Sequence, residues 1–297
     1  MKKYIFVLFF IFLIANCLLF PRIALEASGN GIVTWFYQIL PSLLPFTIIS
    51  GIFMRSKWLD VLSQKGNLFP VLIILFCGTM FGFPIGGKLS CDFYTQGYIS
   101  KSQAEILCVC TNNFSPMYVN GFVIPLIFGI NTFLFPFLFL IYGIPLMIGI
   151  ILLVYNGKKE TTQKKSASRF QLDMQIIDAG IISGFETLIK ICGYIVLFSL
   201  LTAFCSNLLQ NISIPGLLLL GNLEISNGIF MLSEYSTSQP LKYMIAIQLL
   251  SFGGICGLAQ TSSFLSQARL SSPKYVLGKI ALSILLSIIA IITIFQP

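Results

Sequence analysis

Gly78-Thr79-Met80-Phe81-Gly82-Phe83-Pro84-Ile85-Gly86-Gly87-Lys88-Leu89-Ser90-Cys91-Asp92 is the stretch whose reading decides the fold. It begins inside an apolar run, gathers four glycines and a proline, and ends on a lysine and an aspartate four residues apart. An unpaired backbone group is costly in hydrocarbon, so a run broken this way must be buried in protein or line a cavity. Half-helices that meet at such breaks build the substrate site of many secondary transporters.

The rest of the chain agrees with a membrane setting. Hydrophobic residues make up 56% of its 297 residues and charged ones 9%, with a mean hydropathy of +0.91. A soluble domain carries about 25% charged residues, so an all-α polytopic membrane protein is expected. The net charge of +8 sits mainly in short segments between apolar runs, the pattern of cytoplasmic loops rather than of a nucleic-acid-binding face. The absence of histidine excludes histidine metal sites, histidine proton relays and Ser-His catalysis. The eight cysteines form no Cys-x-x-Cys and read as small buried hydrophobes. No catalytic constellation is visible, and no metal site, cofactor or enzymatic activity is expected.

Taken in order, Lys2 and Lys3 precede the apolar run Tyr4 to Phe20. This reads as an uncleaved membrane helix with a cytoplasmic N-terminus, within residues 1–27. Gly31 to Met54 follows, with Pro41 and Pro45 expected to kink it and Trp35 and Tyr37 suited to an interfacial belt. Phe69 leads into the glycine stretch. Asp92 to Ser102 reads as a loop or interfacial segment, and Ser100 or Ser102 as a helix cap, with Glu105 three residues after Ser102 completing a capping box. Thr111-Asn112-Asn113-Phe114-Ser115-Pro116 is a second polar break, and Thr132 to Tyr155 a spanning helix. Residues 156–176, with Lys158, Lys159, Lys164, Lys165 and Arg169, read as a basic cytoplasmic linker between repeat 1 (28–155) and repeat 2 (177–297).

The second half contains its own breaks at Gly221 to Ile229 and Ser251 to Ser263. Phe69-Pro70 matches Ile214-Pro215, Gly78 matches Gly221, and Gly86 matches Gly228, at offsets of about 140 to 145 residues. The basic loops at Arg55–Lys65, Lys158–Arg169 and Arg269–Lys279 can all be cytoplasmic only if each half crosses an odd number of times. The expected architecture is therefore two inverted repeats with broken or re-entrant helices, about seven crossings in all.

Charge inside an apolar segment marks function by default. Glu224, flanked by Asn222, Ser226 and Asn227, reads as a cation or proton site, a partner of a gating lysine, or a structural carboxylate. Lys88, after Gly86 and Gly87, reads as part of an anion site made with exposed backbone amides, or as a snorkelling interfacial lysine. Ion pairs Lys88–Asp92 and Glu186–Lys190 fit the i,i+4 spacing. Asn112, Asn113, Ser115 and Gln260 offer uncharged hydrogen-bonding groups that either bind a polar solute or join helices.

Leu40-Pro41-Ser42-Leu43-Leu44-Pro45-Phe46, Gly82-Phe83-Pro84-Ile85-Gly86-Gly87-Lys88-Leu89 and Thr111-Asn112-Asn113-Phe114-Ser115-Pro116 resemble the sporulation integral membrane proteins of the YlbJ type. Leu223-Glu224-Ile225-Ser226-Asn227-Gly228, and Phe252-Gly253-Gly254 with Gln260, resemble that family's second half. The resemblance spans most of residues 31–270. It implies a nucleoside-recognition (Gate) domain, a cell-membrane location, and a role in moving the spore solute dipicolinate. The expected function is a secondary transporter or permease for a small, mainly anionic organic solute, dipicolinate-like or nucleoside-like. A non-transporting scaffold or assembly factor of the spore envelope is the alternative. The bilayer and a small solute are the expected partners, with room for a coupling ion, H+ or Na+, and for a homo-oligomer.

Overall fold

The computed structural model describes residues 2–56, 58, 68–129, 134–156, 172–209 and 212–294. Lys57, Lys65 and the five basic linker residues, which carry much of the loop-orientation argument, lie outside them, as does most of the linker. No strand occurs among the described residues. The helices are α1 (Lys2–Leu19), α2 (Pro21–Arg55), α3 (Phe69–Phe81), α4 (Ile85–Thr95), α5 (Lys101–Thr111), α6 (116–128), α7 (Phe135–Tyr155), α8 (Met174–Leu209), α9 (Ile214–Leu223), α10 (Ile225–Glu234), α11 (Gln239–Phe252), α12 (Gly254–Gln267) and α13 (Ser272–Ile294). Five stretches are long and apolar enough to cross a membrane: α2, α7, α8, the run Gln239–Gln267 and α13. The chain is a polytopic membrane protein. Its outer faces carry exposed Leu, Ile and Phe, as on α13 at Leu277, Ile284, Ile288 and Ile292, where lipid rather than water is the solvent.

The glycine stretch forms a helical hairpin. Its arms α3 and α4 have 13 and 11 residues, which at 1.5 Å per residue reach about 20 Å, short of the ~30 Å hydrocarbon core. They turn back at Gly82-Phe83-Pro84, where the Phe83–Pro84 peptide is cis. Arms α9 and α10, of 10 residues each, repeat the design around Glu224. The matched glycines are the points where the arms cross. Gly78 packs on Gly86, with an added Cβ 3.2 Å from Gly86 Cα, and Gly228 packs on Gly221, where an added Cβ would overlap the facing backbone. Two backbones approach this closely only without side chains.

Each half thus runs long helix, hairpin, broken helix, long helix. The long helices α2 and α8 pack on each other along their lengths, and hairpin arm α4 packs on α12 of the other half. The breaks interlock the halves into one core.

Three π-helical turns occur among the described residues, at Trp35–Ile39, Val119–Val123 and Phe139–Gly143. Each is followed, on the second residue beyond it, by a proline: Pro41, Pro125 and Pro145. A helical proline clashes with the carbonyl four residues back and gives it no donor. That carbonyl is the third residue of each turn, and widening the turn moves it aside. The strain expected at Pro41 is therefore absorbed one turn earlier, at Trp35–Ile39.

Several local expectations are corrected. Asp92 to Thr95 is helical, because α4 continues past the lysine before Gly97 (φ 77°) ends the segment. The capping box joins Ser100 to Gln103, whose side chain accepts from Ser100 N at 2.9 Å. Glu105 instead accepts from Lys274 Nζ at 2.8 Å, the one ion pair among the described residues. Neither Lys88–Asp92 nor Glu186–Lys190 closes. Lys279, expected in a cytoplasmic loop with Arg269 and Lys274, lies within α13 and is fully buried.

Candidate functional site

The two hairpin tips face each other across a cavity of about 50 Å³. Phe83 and Pro84 line it from one tip, and Glu224, Ile225 and Ser226 from the other. Ser115, at the first helix break, and Gln260, just beyond the second, join Ser42 and Tyr118 in its polar lining. One water needs roughly 10–15 Å³ by this measure, so the space holds a few waters, not an organic solute. Drug-sized ligands occupy about 300–1,000 Å³. The site is closed.

Glu224 is 4% exposed and sits at the N-cap of α10 in extended conformation. Its Oε1 accepts from Ser226 N at 3.1 Å and its Oε2 from Asn227 N at 2.8 Å. A carboxylate on free amides at the positive end of a helix dipole is well placed. The same bonds occupy the amides that would otherwise hold an anion. No lysine or arginine among the described residues pairs with it.

Lys88 is elsewhere. Its Nζ donates to Thr187 Oγ1 of α8 at 3.0 Å, and it does not line the cavity. The charges of the two hairpins do not meet. Gly86 packs on the Thr111 carbonyl, and Gly87 N donates to Asn112 Oδ1 at 3.0 Å, so that amide is also taken.

Asn112 is a hub behind the cavity. Its Nδ2 donates to Thr261 Oγ1 at 2.9 Å and to Tyr275 Oη at 2.8 Å, tying the first break to α12 and α13. Lys279 Nζ donates to Asn112 O at 3.1 Å and to Asn113 Oδ1 at 3.0 Å. Ser115 caps α6, accepting from Tyr118 N at 3.1 Å, and Gln260 Nε2 contacts Cys256 Sγ at 3.2 Å.

A larger cavity of about 540 Å³ lies on the other side of the second hairpin. Asn30, Thr34 and Gln38 of α2 and Thr202 and Ser206 of α8 line it, and its floor is Ser226 and Asn227. No charged residue lines it. Gln38 Oε1 is buried there without a hydrogen-bond partner. Two bonds separate this space from the small cavity: Tyr118 Oη to Ser226 Oγ at 3.3 Å, and Asn227 Nδ2 to Ser199 Oγ at 3.1 Å. Beside them runs a ladder of rings, Phe83, Phe114, Tyr118 and Phe122, with centroids 5.7, 5.2 and 5.3 Å apart.

Of the sequence candidates, Ser115, Glu224 and Gln260 come together at the cavity, Asn227 at the larger space, and Asn112 and Asn113 with Gly86 and Gly87 in the network behind. Lys279, Tyr118, Tyr275 and Gln38 were not among the candidates. Lys279 had a legible signal, a lysine within the apolar run that α13 forms. Its nearness to Arg269 and Lys274 assigned it to the loop instead.

The fold and site define a polytopic all-helical membrane protein with paired hairpins and broken helices closing on a buried cavity. The chain is 26% identical, over 319 aligned positions that cover 92% of it and 78% of the relative, to the sporulation integral membrane protein YlbJ of Bacillus subtilis (strain 168). The resemblance carried by the motifs thus extends over almost the whole chain. No family model and no solved structure matches.

Proposed function

We propose that the protein is a secondary transporter or permease for a small organic solute, working at the cell membrane with a cytoplasmic N-terminus. The observation that carries this reading is the pair of cavities: a space of about 540 Å³, lined in part by amides and hydroxyls, that ends on the tip of one hairpin, and a small space of about 50 Å³ between both tips. In this reading the larger space is the outer vestibule. The solute enters it, the second hairpin lifts as Tyr118–Ser226 and Asn227–Ser199 part, and the inner cavity widens around the solute. Lifting the first hairpin on the other side then releases it.

Glu224 constrains the solute. A lone anion entering beside a buried carboxylate would be repelled, because like charges interact strongly at low dielectric. A dipicolinate-like anion therefore travels with a cation, H+ or Na+, that neutralises Glu224. A nucleoside-like solute fits the uncharged amides and hydroxyls of the vestibule without that requirement, in line with a nucleoside-recognition (Gate) module. The test is uptake of radiolabelled dipicolinate and uridine into proteoliposomes holding wild type or Glu224→Gln. Uptake of one solute by wild type, lost in the variant, is the expected result. No uptake of either favours the scaffold role in spore-envelope assembly.

A further inference from the structure

Lys279 lies two turns inside α13, is fully buried, and pairs with no carboxylate among the described residues. An ammonium taken out of water carries a heavy desolvation penalty unless oxygen ligands replace the water. Those ligands come from the first helix break, the Asn112 carbonyl and the Asn113 side-chain oxygen. The lysine stem also passes the second break, with Cε 3.8 Å from the position a Gly253 Cβ would take.

Both breaks follow the C-terminal end of a half-helix, α5 ending at Thr111 and α11 at Phe252. The last carbonyls of a helix have no partner within it, and its C-terminus carries about half a negative charge. The end of α5 thus meets the buried ammonium, and the end of α11 lies beside its stem. In transporters built from broken helices, unwound carbonyls and half-helix C-termini of this kind are where Na+ is coordinated.

We propose that Lys279 is a built-in cation that fills the Na+ position of the helix breaks, so that Na+ has no site there. The ammonium sits on the oxygens of the first break, offsets the negative end of α5 and holds that break in its unwound shape. Its positive charge repels any second cation from the same oxygens. A coupling cation, if transport uses one, is then confined to Glu224 at the cavity. That last point rests on the transport reading, whereas occupancy of the breaks does not.

The test is thermal unfolding of the purified full chain in detergent, in NaCl and in choline chloride at equal ionic strength, for wild type, Lys279→Ala and Lys279→Gln. Wild type is expected to melt at the same temperature in both salts. A variant that folds is expected to melt lower in choline and to regain about 2 °C or more in NaCl, as Na+ takes the vacated oxygens. Specific stabilisation of wild type by Na+ overturns the proposal if it persists in Glu224→Gln. So does a folded variant that does not respond to Na+. If neither variant folds, the wild-type and Glu224→Gln comparison alone decides. Absence of uptake in liposomes bears on the transport reading and leaves this measurement unaffected.

Discussion

Tyr118 donates to Ser226 Oγ across 3.3 Å, joining the broken helix of the first half to the hairpin tip of the second. Both residues line the small cavity, and Ser226 is also part of the floor of the larger one. The bond is thus part of the wall between them. Tyr118→Phe removes it and leaves the hydroxyl of Ser226 without that donor, at a cost of about 1 kcal/mol. The hairpin is expected to lift more often. Cys256 lines the small cavity and is 4% exposed, so its maleimide labelling, read by peptide mass spectrometry, should rise in the variant. Unchanged labelling would mean the wall is held by other contacts.

Glu224 has two separable roles, as a cap and as a charge. Glu224→Ala removes both acceptors of the α10 amides and is expected to cost about 1–2 kcal/mol in stability. Glu224→Gln keeps one acceptor oxygen and the length of the side chain, so it should lose less. If the charge couples a cation to the solute, the Gln variant loses at least tenfold in uptake while melting close to wild type. Parallel losses of stability and uptake in both variants would point to a cap and nothing more.

The crossing of the second hairpin depends on bare backbone. A methyl at Gly228 would overlap Gly221 Cα, and forcing the arms apart is expected to cost about 1–3 kcal/mol. At Gly216 a Cβ would have ordinary contacts, the nearest at 3.6 Å. Gly228→Ala should therefore lower the melting temperature by several degrees, with Gly216→Ala close to wild type. Equal shifts would show that the crossing is not the tight point.

A hairpin that returns to its side of entry puts the turn after α10 and the turn after α12 on opposite sides of the membrane. Ser236 and Gln267 are exposed positions in these regions. In intact cells an impermeant maleimide should label Ser236→Cys, and should label Gln267→Cys only after permeabilisation. Labelling of both from outside would overturn the assignment of the hairpins as re-entrant.

Much of the architecture was legible because hydrocarbon penalises locally visible features. Glycine and proline inside an apolar run mark the breaks, and matched Gly78/Gly221 and Gly86/Gly228 mark the repeat. What local reading missed was reach. Ser100 paired with Gln103 rather than Ser102 with Glu105, because the helix starts at Lys101 and leaves Ser102 inside it, while Glu105 meets Lys274, distant in sequence. Lys279 was misplaced because three basic residues close in sequence look like one loop, whereas α13 starts between the first and the last of them.

The sequence by itself determined the class of protein, the two broken halves and the residues that hydrocarbon makes costly. Each of these follows from what a residue does to its own stretch of backbone in a medium without water. Only the tertiary structure decided which polar groups meet. It turned Lys88 to Thr187, set Glu224 on its own helix, and brought Lys279 to Asn112 and Asn113. The physical reason is that a side chain's partner depends on how whole helices are rotated and stacked, and that packing is fixed by many weak contacts along both halves rather than by any one motif.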